Sequence, residues 1–342
     1  MKPMLKRIAI TSALEAIALF RLWRFLPGAS GRGVIFTLHH VRPASAQAFN
    51  PNRHLEVTPE FLEQAILAAK EAGLQPARLE DLPALLAAPG STRKYVCFTL
   101  DDGYRNNAEF AAPVFRKHNV PYTIFICPGF VARTRTIWWE TATELLRRAN
   151  SIRFDFGAGD ENVPCATEAE KMAAFERLAE LVDTTDENDA VARIDALALA
   201  CGVDPVSYVE REVMNEAELA QLALDPLVTF GGHTLTHCNL ARVSQTRLED
   251  EISTSCRIVS NYSSRETRSF SYPYGWKSAA GQREFAAAAK EGLAIAVTTQ
   301  PGVLRTAGNP TAHNRVSLNG LYQKKRYVRA LISGVAFTLL PT

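Results

Sequence analysis

The stretch CFTLDDGYRNN contains the two residues with the clearest chemical potential in this 342-residue chain. Asp101 and Asp102 directly follow a run of β-forming residues and precede a glycine. Neighbouring carboxylates repel each other and lose hydration at the buried end of a strand, so the pair is unfavourable unless a cation or a proton compensates it. The pair therefore predicts a cationic partner elsewhere in the chain.

The stretch GGHTLTHCNL supplies a partner, because it places two histidines four residues apart. If Thr234–Cys238 forms a helical turn, His233 and His237 lie on one face and both imidazoles can bind one ion. Two imidazoles and one carboxylate leave coordination positions open, as in catalytic zinc sites, and the same ligands also suit Co²⁺, Mn²⁺ and Ni²⁺. We therefore expect a divalent metal, with Zn²⁺ as the favoured ion.

Adjacent residues of a strand point to opposite sides, so one of Asp101 and Asp102 can bind the metal while the other addresses a neighbouring atom. An unligated carboxylate at such a site is positioned to remove a proton from a water that attacks a carbonyl. Either motif alone occurs often without function, since acid pairs are common in loops and paired histidines arise by coincidence. Their joint occurrence after predicted strands indicates a hydrolytic site.

Alternating strands and helices must position these residues. Apolar, β-branched runs, with helical segments between them, recur at residues 33–40, 95–100, 122–127, 227–233, 269–275 and 293–299. The segments 59–72 and 244–262 are the clearest helices. This alternation builds a parallel sheet, and functional sites form at the carboxyl ends of the strands in such sheets. The length of the chain allows one α/β barrel with additions. The interval of about 134–215 contains no convincing buried strand and predicts a helical insertion.

These motifs resemble those of the polysaccharide deacetylase family over about residues 33–130 and 213–320. FTLDDGYRNN resembles the first family motif, with Leu100 in place of a phenylalanine, and HTLTH matches the second, H-[ST]-x-x-H, in full. YPYG resembles the core of the third motif, while IFTLHHVRP and HNRVSL resemble the opening strand and a late arginine-containing segment. The resemblance implies a distorted, incomplete (β/α) barrel, to which the sequence adds the helical insertion and amphipathic terminal helices.

The resemblance also implies a reaction, the metal-dependent removal of an acetyl group from an N-acetylated or, less favoured, O-acetylated sugar. The sugar would belong to a polysaccharide, an oligosaccharide or a lipid-linked glycan intermediate of envelope or exopolysaccharide synthesis. By similarity Asp101 would act as the general base, and the metal ligands would be Asp102, His233 and His237. Tyr274 would donate its backbone N–H to the oxyanion.

The chain departs from the family pattern at two points. Ser271 stands where the family has an arginine that orients the base, so another cation, Arg315 or Arg105, is expected to substitute. His313 is the candidate for the late histidine that protonates the leaving group, although its flanking residues do not match the usual L-x-H pattern. For His39, which ends the first strand, a pocket role and a structural role are equally compatible with the sequence.

Tryptophans are candidate sugar contacts, since aromatic faces stack on sugar rings. Trp138 and Trp139 open the insertion, and two adjacent residues do not easily face one groove, so at least one of them belongs to the core. Trp276, next to the oxyanion segment, is the better candidate for a sugar subsite.

Both ends of the chain are basic, with six basic residues against one acid in 1–32 and four against none in 322–342. The body, 33–321, is therefore acidic, which argues against nucleic acid as a partner. The ends are interpreted as amphipathic helices whose basic faces are solvated or, in the second interpretation, contact an anionic membrane surface. Glu15 lies inside the first apolar run and disfavours a secretory signal, so we expect a cytoplasmic protein. In the second interpretation this protein binds peripherally to the inner membrane.

Two alternative functions stay open at this point. A hydrolase of a small amide or ureide would keep the same site but enclose it, whereas a glycan requires an open groove. A non-catalytic glycan-binding protein would retain the fold alone. The missing third-motif arginine favours that alternative, and the intact acids and histidines oppose it.

Overall fold

A closed parallel barrel forms the centre of the computed structural model, which describes residues 3–339. The strands are β1 Gly33–Leu38, β2 His40–Val41, β3 Glu56–Val57, β4 Gln75–Pro76, β5 Tyr95–Leu100, β6 Tyr122–Ile126, β7 Ser151–Asp155, β8 Asp160–Pro164, β9 Val228–Gly232, β10 Ser269–Ser271, β11 Ile295–Pro301 and β12 His313–Ser317. The order around the barrel is β1, β12, β11, β10, β9, β6 and β5, and β1 pairs with β5 to complete the ring. This confirms the predicted (β/α) barrel, with seven strands instead of the eight of a complete one.

Helices surround the barrel, and several of them begin at a residue whose side chain caps the first turn. They are α1 Pro3–Leu19, α2 Pro59–Glu71, α3 Leu82–Ala87, α4 Ala112–His118, α5 Pro128–Val131, α6 Trp138–Arg148, α7 Glu168–Thr184, α8 Glu187–Ala200, α9 Pro205–Glu212, α10 Glu216–Leu222, α11 Gln245–Ser263, α12 Gln282–Lys290, α13 Lys325–Ile332 and α14 Val335–Leu339. Before α2, the Thr58 side chain accepts a hydrogen bond from the Phe61 N–H at 3.2 Å, and Pro59 takes the first helical position. Phe61 and Ile66 then face the core.

The strand pair β1 and β5 sets the position of the acid pair. All residues of β5 are buried, because helices cover the outer face of a parallel barrel and side chains fill its interior. Leu38 pairs with Leu100, so both strands end at the same level. The Asp101 N–H continues the pairing by donating to the Leu38 carbonyl oxygen at 3.0 Å. Asp101 and His39, the next residue after each strand, therefore lie side by side at the carboxyl end of the barrel.

The predicted insertion is helical over most of its length, and it also contains two short strands that the sequence analysis did not predict. Besides the helices α6–α9 it contains an antiparallel hairpin formed by β7 and β8. Ile152 and Phe154 are buried while Ser151 and Arg153 are exposed, so the sequence signal for the hairpin is a short alternation of apolar and polar residues. The apolar residues of the insertion form one cluster with Phe49, Tyr104, Cys127 and Phe130, separate from the main core.

The two terminal segments pack against each other. Leu14 and Ile17 of α1 contact Tyr327 and Ala330 of α13 in one apolar cluster. Within residues 3–339 no helix combines the length and the apolarity that a bilayer crossing requires. The predicted terminal segments also include residues 1–2 and 340–342, which lie outside the described residues.

Asp195 of α8 gives a test of how the insertion is stabilised. Its Oδ2 accepts the Thr136 hydroxyl at 2.6 Å, its Oδ1 is buried without a partner in the described residues, and burial raises its pKa to about 6. Because the folded state holds this proton more tightly than the unfolded chain, the carboxylate destabilises the fold as pH rises from about 4 to about 6.

We expect Asp195→Asn to raise the free energy of unfolding by about 1–2 kcal/mol near neutral pH and to change it little below about pH 4. Urea denaturation at both pH values measures the difference. An equal effect at both would contradict this account.

Candidate active site

Asp102, His233 and His237 form a compact cluster at the carboxyl end of the barrel. Asp102 Oδ1 lies 3.5 Å from His233 Nε2 and 3.3 Å from His237 Nε2, and one potential ligand atom of each residue lies within 4.8 Å of the others. All three side chains are buried. Asp102 follows β5 and His233 follows β9, so the ends of two strands bring the two sequence motifs together.

The segment between the two histidines is a loop, so the expected helical turn does not form. Thr234 and His237 have φ angles of 59° and 58°, in the left-handed region, and these local reversals of the backbone bring His237 back toward Asp102. Glu251 of α11 holds the loop in place, because one of its carboxylate oxygens accepts two consecutive loop N–H groups at 2.8 and 3.0 Å. Tertiary contacts, and not helical periodicity, therefore align the imidazoles.

The chemistry of this cluster fits a divalent metal ion. Neither carboxylate oxygen of Asp102 has a hydrogen-bond partner among the described residues, although the group is buried. His233 donates its Nδ1–H to the Ser271 carbonyl oxygen at 2.6 Å, which directs the Nε2 lone pair toward Asp102. Burial raises the pKa of Asp102, but the two imidazoles outweigh it and hold that pKa well below its usual range. An ionised carboxylate facing two imidazole nitrogens is a ligand set for Zn²⁺ and similar ions.

Arg315 is the cation that contacts Asp101. Its Nη1 and Nη2 donate to Oδ1 and Oδ2 of Asp101, both at 2.7 Å, and Arg315 is only 1% exposed. The guanidinium also donates to the Thr99 hydroxyl, the Ser271 hydroxyl and the Thr298 carbonyl oxygen at 3.0, 2.9 and 2.8 Å. Burial raises the pKa of Asp101, but the charge and hydrogen bonds of Arg315 outweigh it and lower that pKa. A guanidinium therefore reaches this carboxylate although Ser271 replaces the motif arginine.

Two other candidate residues lie apart from the acids. Arg105 donates to both carboxylate oxygens of Glu218 at 2.8 and 3.0 Å and has no contact with Asp101 among its hydrogen bonds. His313 begins β12, and in the part of the chain that the structure describes its side chain makes no hydrogen bond, ion pair or ring contact. Burial lowers the pKa of His313. Its role as the leaving-group acid stays a prediction.

His39 faces the acids from the end of β1. Its Nε2 lies 4.0 Å from Asp101 Oδ2 and 21% of its side chain is exposed. Burial lowers the pKa of His39 to about 4, so the imidazole is neutral near neutral pH. Its neighbour His40 is fully buried, pairs with Asn106 at 2.8 Å and stacks on Tyr104 at 3.7 Å between ring centroids. Of the two adjacent histidines, His39 is the one at the site.

Aromatic side chains surround the histidines. The Tyr274 ring lies 5.3 Å from that of His237, its φ is 61°, and its N–H has no acceptor within residues 3–339. Trp276 is 43% exposed, so its ring is free to stack on a sugar. Its ring centroid lies 5.1 Å from that of Tyr274. Trp138 is 8% exposed and donates its indole N–H to the Tyr274 hydroxyl at 3.3 Å. Trp138 therefore lies behind Tyr274, which argues against a direct sugar contact.

Three further residues shape the site without having been assigned to it from the sequence. Glu187, the first residue of α8, accepts the Tyr274 hydroxyl at 2.6 Å and a backbone N–H two residues after His237 at 2.7 Å. Phe130 and Trp139 pack against the His237 ring at 5.5 and 4.9 Å between centroids. Trp139 carries a weak signal in the WWE stretch, whereas nothing distinguishes Glu187 from the other acids of the insertion.

Glu187 connects the insertion to the site, and its removal tests that connection. Glu187→Ala deletes both acceptors, so we expect turnover to fall about tenfold, as loss of a charged hydrogen bond would give, while metal content stays unchanged. Steady-state kinetics and elemental analysis check this. Glu176→Ala, an exposed glutamate of the same insertion, is the matched control. Unaltered kinetics of Glu187→Ala would show that Tyr274 and the loop keep their positions without it.

Comparisons with known proteins agree with these motifs. The family model described as polysaccharide deacetylase matches residues 89–157 and 194–292, which omits 158–193 inside the insertion. The matched ranges include Asp101, Asp102, His233, His237 and Tyr274. No curated protein matches the chain.

Solved structures share the fold at low identity. The Streptococcus pyogenes deacetylase PplD in complex with acetate has a TM-score of 0.55 and 15% identity, covering 84% of this chain and 93% of its own. IcaB from Ammonifex degensii has a TM-score of 0.54 and 16% identity, covering 87% of this chain and 98% of its own. The Bacillus anthracis putative polysaccharide deacetylase BA0330 has a TM-score of 0.53 and 14% identity, covering 87% of this chain and 68% of its own. The polysaccharide deacetylase model covers the stretches that carry the acids and histidines, the solved structures share the fold, and together they indicate a deacetylase hydrolase.

Proposed function

We propose that this deacetylase removes acetyl groups from N-acetylated sugars of a glycan in a metal-dependent hydrolysis. The observation that carries the proposal is the different surroundings of two adjacent acids. Asp101 forms a bidentate pair with Arg315, whereas Asp102 faces two imidazoles and has no hydrogen bond in residues 3–339. Neighbouring carboxylates in such different environments suit different tasks, the first as proton acceptor and the second as metal ligand.

The reaction follows from where these groups point. Asp102 and the two histidines would hold the metal, which when bound polarises the acetyl carbonyl and makes water a better nucleophile. Asp101 would accept the proton of the attacking water, and Arg315 would hold its carboxylate in one orientation. The Tyr274 N–H would donate to the oxygen that becomes negatively charged in the tetrahedral intermediate.

The substrate class rests on the surface beside Tyr274. Trp276 offers an exposed aromatic face next to the cluster, and aromatic faces contact sugar rings well. The relative from Streptococcus pyogenes was solved with acetate, which is the product expected of this chain. A polysaccharide, an oligosaccharide or a lipid-linked glycan of envelope or exopolysaccharide synthesis is the proposed substrate.

Acetate release from N-acetylated oligosaccharides is the direct test. We expect release by the purified chain, its loss after chelation, and its recovery with Zn²⁺, Co²⁺, Mn²⁺ or Ni²⁺. Metal-loaded protein that releases no acetate from a broad panel of N- and O-acetylated sugars would overturn the proposal. Turnover of small amides or ureides in the same assay would favour the small-amide alternative, and glycan binding without turnover the non-catalytic one.

A further inference from the structure

One end of the molecule exposes a concentrated set of large apolar side chains, named here the terminal patch. Most apolar side chains are buried in the body, and few large ones are exposed elsewhere in residues 3–339. The exposed fractions within the patch are Leu5 54%, Ile8 51%, Leu19 75%, Phe20 65%, Phe25 77% and Leu26 42%. Burying such a patch against another apolar surface is favourable, so the terminal patch marks an interaction surface.

Helix α1 presents part of the terminal patch on the side that the body does not cover. Leu14 and Ile17 are buried against α13 and α14. At 100° per residue, Leu5, Ile8 and Leu19 fall on the opposite face of the helix. Residues 5–9 are exposed all round the helix, so the first turns of α1 extend beyond the body. The helix is therefore apolar both toward the core and toward the solvent.

Cations without acidic partners lie among these apolar side chains. Lys6, Arg7, Arg21 and Arg24 are exposed and form no ion pair within the described chain. The nearby acids are already paired, Glu15 with Lys324 and Arg326, and Glu71 with Lys325 and Arg329. Positive charge is therefore in excess around the patch.

A groove beside the patch is lined by further basic groups. It has a volume of about 670 Å³, and its lining includes Arg21, Arg24 and Lys94, together with Arg326 and Arg329, which pair with Glu15 and with Glu71, an acid of the same lining. Trp23, partly buried, and Leu26 line the same groove. Guanidinium and ammonium groups next to an amphipathic tryptophan suit phosphate groups at the boundary between water and acyl chains.

We infer that the terminal patch docks the protein on an anionic phospholipid bilayer, with Phe20 and Phe25 inserted and the unpaired cations on lipid phosphates. Apolar insertion combined with basic residues is the pattern of interfacial membrane binding. A second copy of this chain would bring like-charged patches together, which is unfavourable. The inference is independent of the proposed function, since lipid binding is measured without substrate.

The terminal patch and the active site lie at opposite ends of the barrel. Lys94 and Leu74, which line the groove, directly precede β5 and β4 and so mark the amino end. The acids of the site follow the carboxyl end of β5. A docked molecule would therefore turn its active site away from the bilayer.

Vesicle co-sedimentation of the full-length protein tests the inference. We expect strong binding to vesicles of phosphatidylcholine mixed with phosphatidylglycerol, weak binding to phosphatidylcholine alone, and release by salt. The double variant Phe20→Ser/Phe25→Ser should bind about tenfold more weakly or worse, and Arg21→Gln/Arg24→Gln should lose the preference for the anionic lipid.

Matched controls lie far from the terminal patch in the sequence. Leu224→Ser changes an equally exposed leucine, and Arg265→Gln an exposed arginine, and both should bind as the unmodified chain does. All variants should keep the acetate release measured on a soluble substrate. Equal sedimentation with every vesicle, or undiminished binding by the patch variants, would overturn the inference. A concentration-dependent dimer that Phe20→Ser/Phe25→Ser abolishes would also overturn the inference, because the terminal patch would then bind a second copy of this chain.

Discussion

Replacing Asp101 with Asn is expected to reduce acetate release from an N-acetylated oligosaccharide by about 10²–10⁴-fold, the range for loss of a general base. Asparagine keeps the size of the side chain but is not a proton acceptor for the attacking water. Because Asp102 and the two histidines are unchanged, the metal content should stay the same. Steady-state kinetics and elemental analysis on the same preparation measure both quantities.

Two readouts separate a chemical defect from a folding defect in Asp101→Asn. The substitution also leaves the Arg315 guanidinium buried with a neutral partner, so the melting temperature must be measured alongside. Asp160→Asn, on the exposed hairpin, is the control for the same change of charge. Full turnover in Asp101→Asn, with metal bound, would remove Asp101 from the reaction.

Arg315→Ala is expected to have the second large effect, on both turnover and stability. Removing the guanidinium leaves the Asp101 carboxylate buried without its cation, which costs about 3–5 kcal/mol when one partner of a buried pair is lost. It also raises the pKa of Asp101 toward the value that burial favours, so less of the base is ionised. We expect turnover to fall at least about a hundredfold while metal content is retained.

Arg315→Lys distinguishes charge from geometry. Lysine restores a positive charge but does not offer two parallel donors to the carboxylate, so stability should recover more than turnover. Arg116→Ala, half exposed and paired with Asp225, is the control for loss of a surface arginine. Unchanged turnover in Arg315→Ala would discard the view that this residue replaces the third-motif arginine.

The sequence patterns predicted a parallel sheet with the two motifs meeting at the carboxyl ends of its strands, and the family resemblance predicted the barrel. Strands with continuous apolar runs, such as β5 and β9, are visible because both of their faces are buried. The exception is β12, where HNRVS looks polar because the strand carries Arg315 into the interior. From the sequence alone, a strand that carries a buried arginine such as Arg315 looks like an exposed polar segment.

Features that depend on tertiary contacts could not be predicted. Thr234 and His237 adopt left-handed φ angles, but neither is a glycine, the residue that usually indicates such angles in a sequence. The four-residue spacing of H-x-x-x-H therefore suggested a helix. Glu187 reaches Tyr274 only because the insertion folds back onto the barrel end. The cytoplasmic location and the leaving-group acid stay predictions, since the contacts described here test neither.

The backbone of the site has a consequence for heat tolerance. Four non-glycine residues at or next to the cluster adopt left-handed φ angles, namely Asp102, Thr234, His237 and Tyr274. Each such residue costs roughly 1–2 kcal/mol relative to the right-handed region, so the rest of the fold offsets several kcal/mol of local strain. Selection for thermostability alone would favour glycine at these positions. At Thr234, for example, a glycine would relieve the strain but would also relax the loop that aligns the histidines. Variants gained in this way should withstand higher temperatures and turn over fewer acetyl groups.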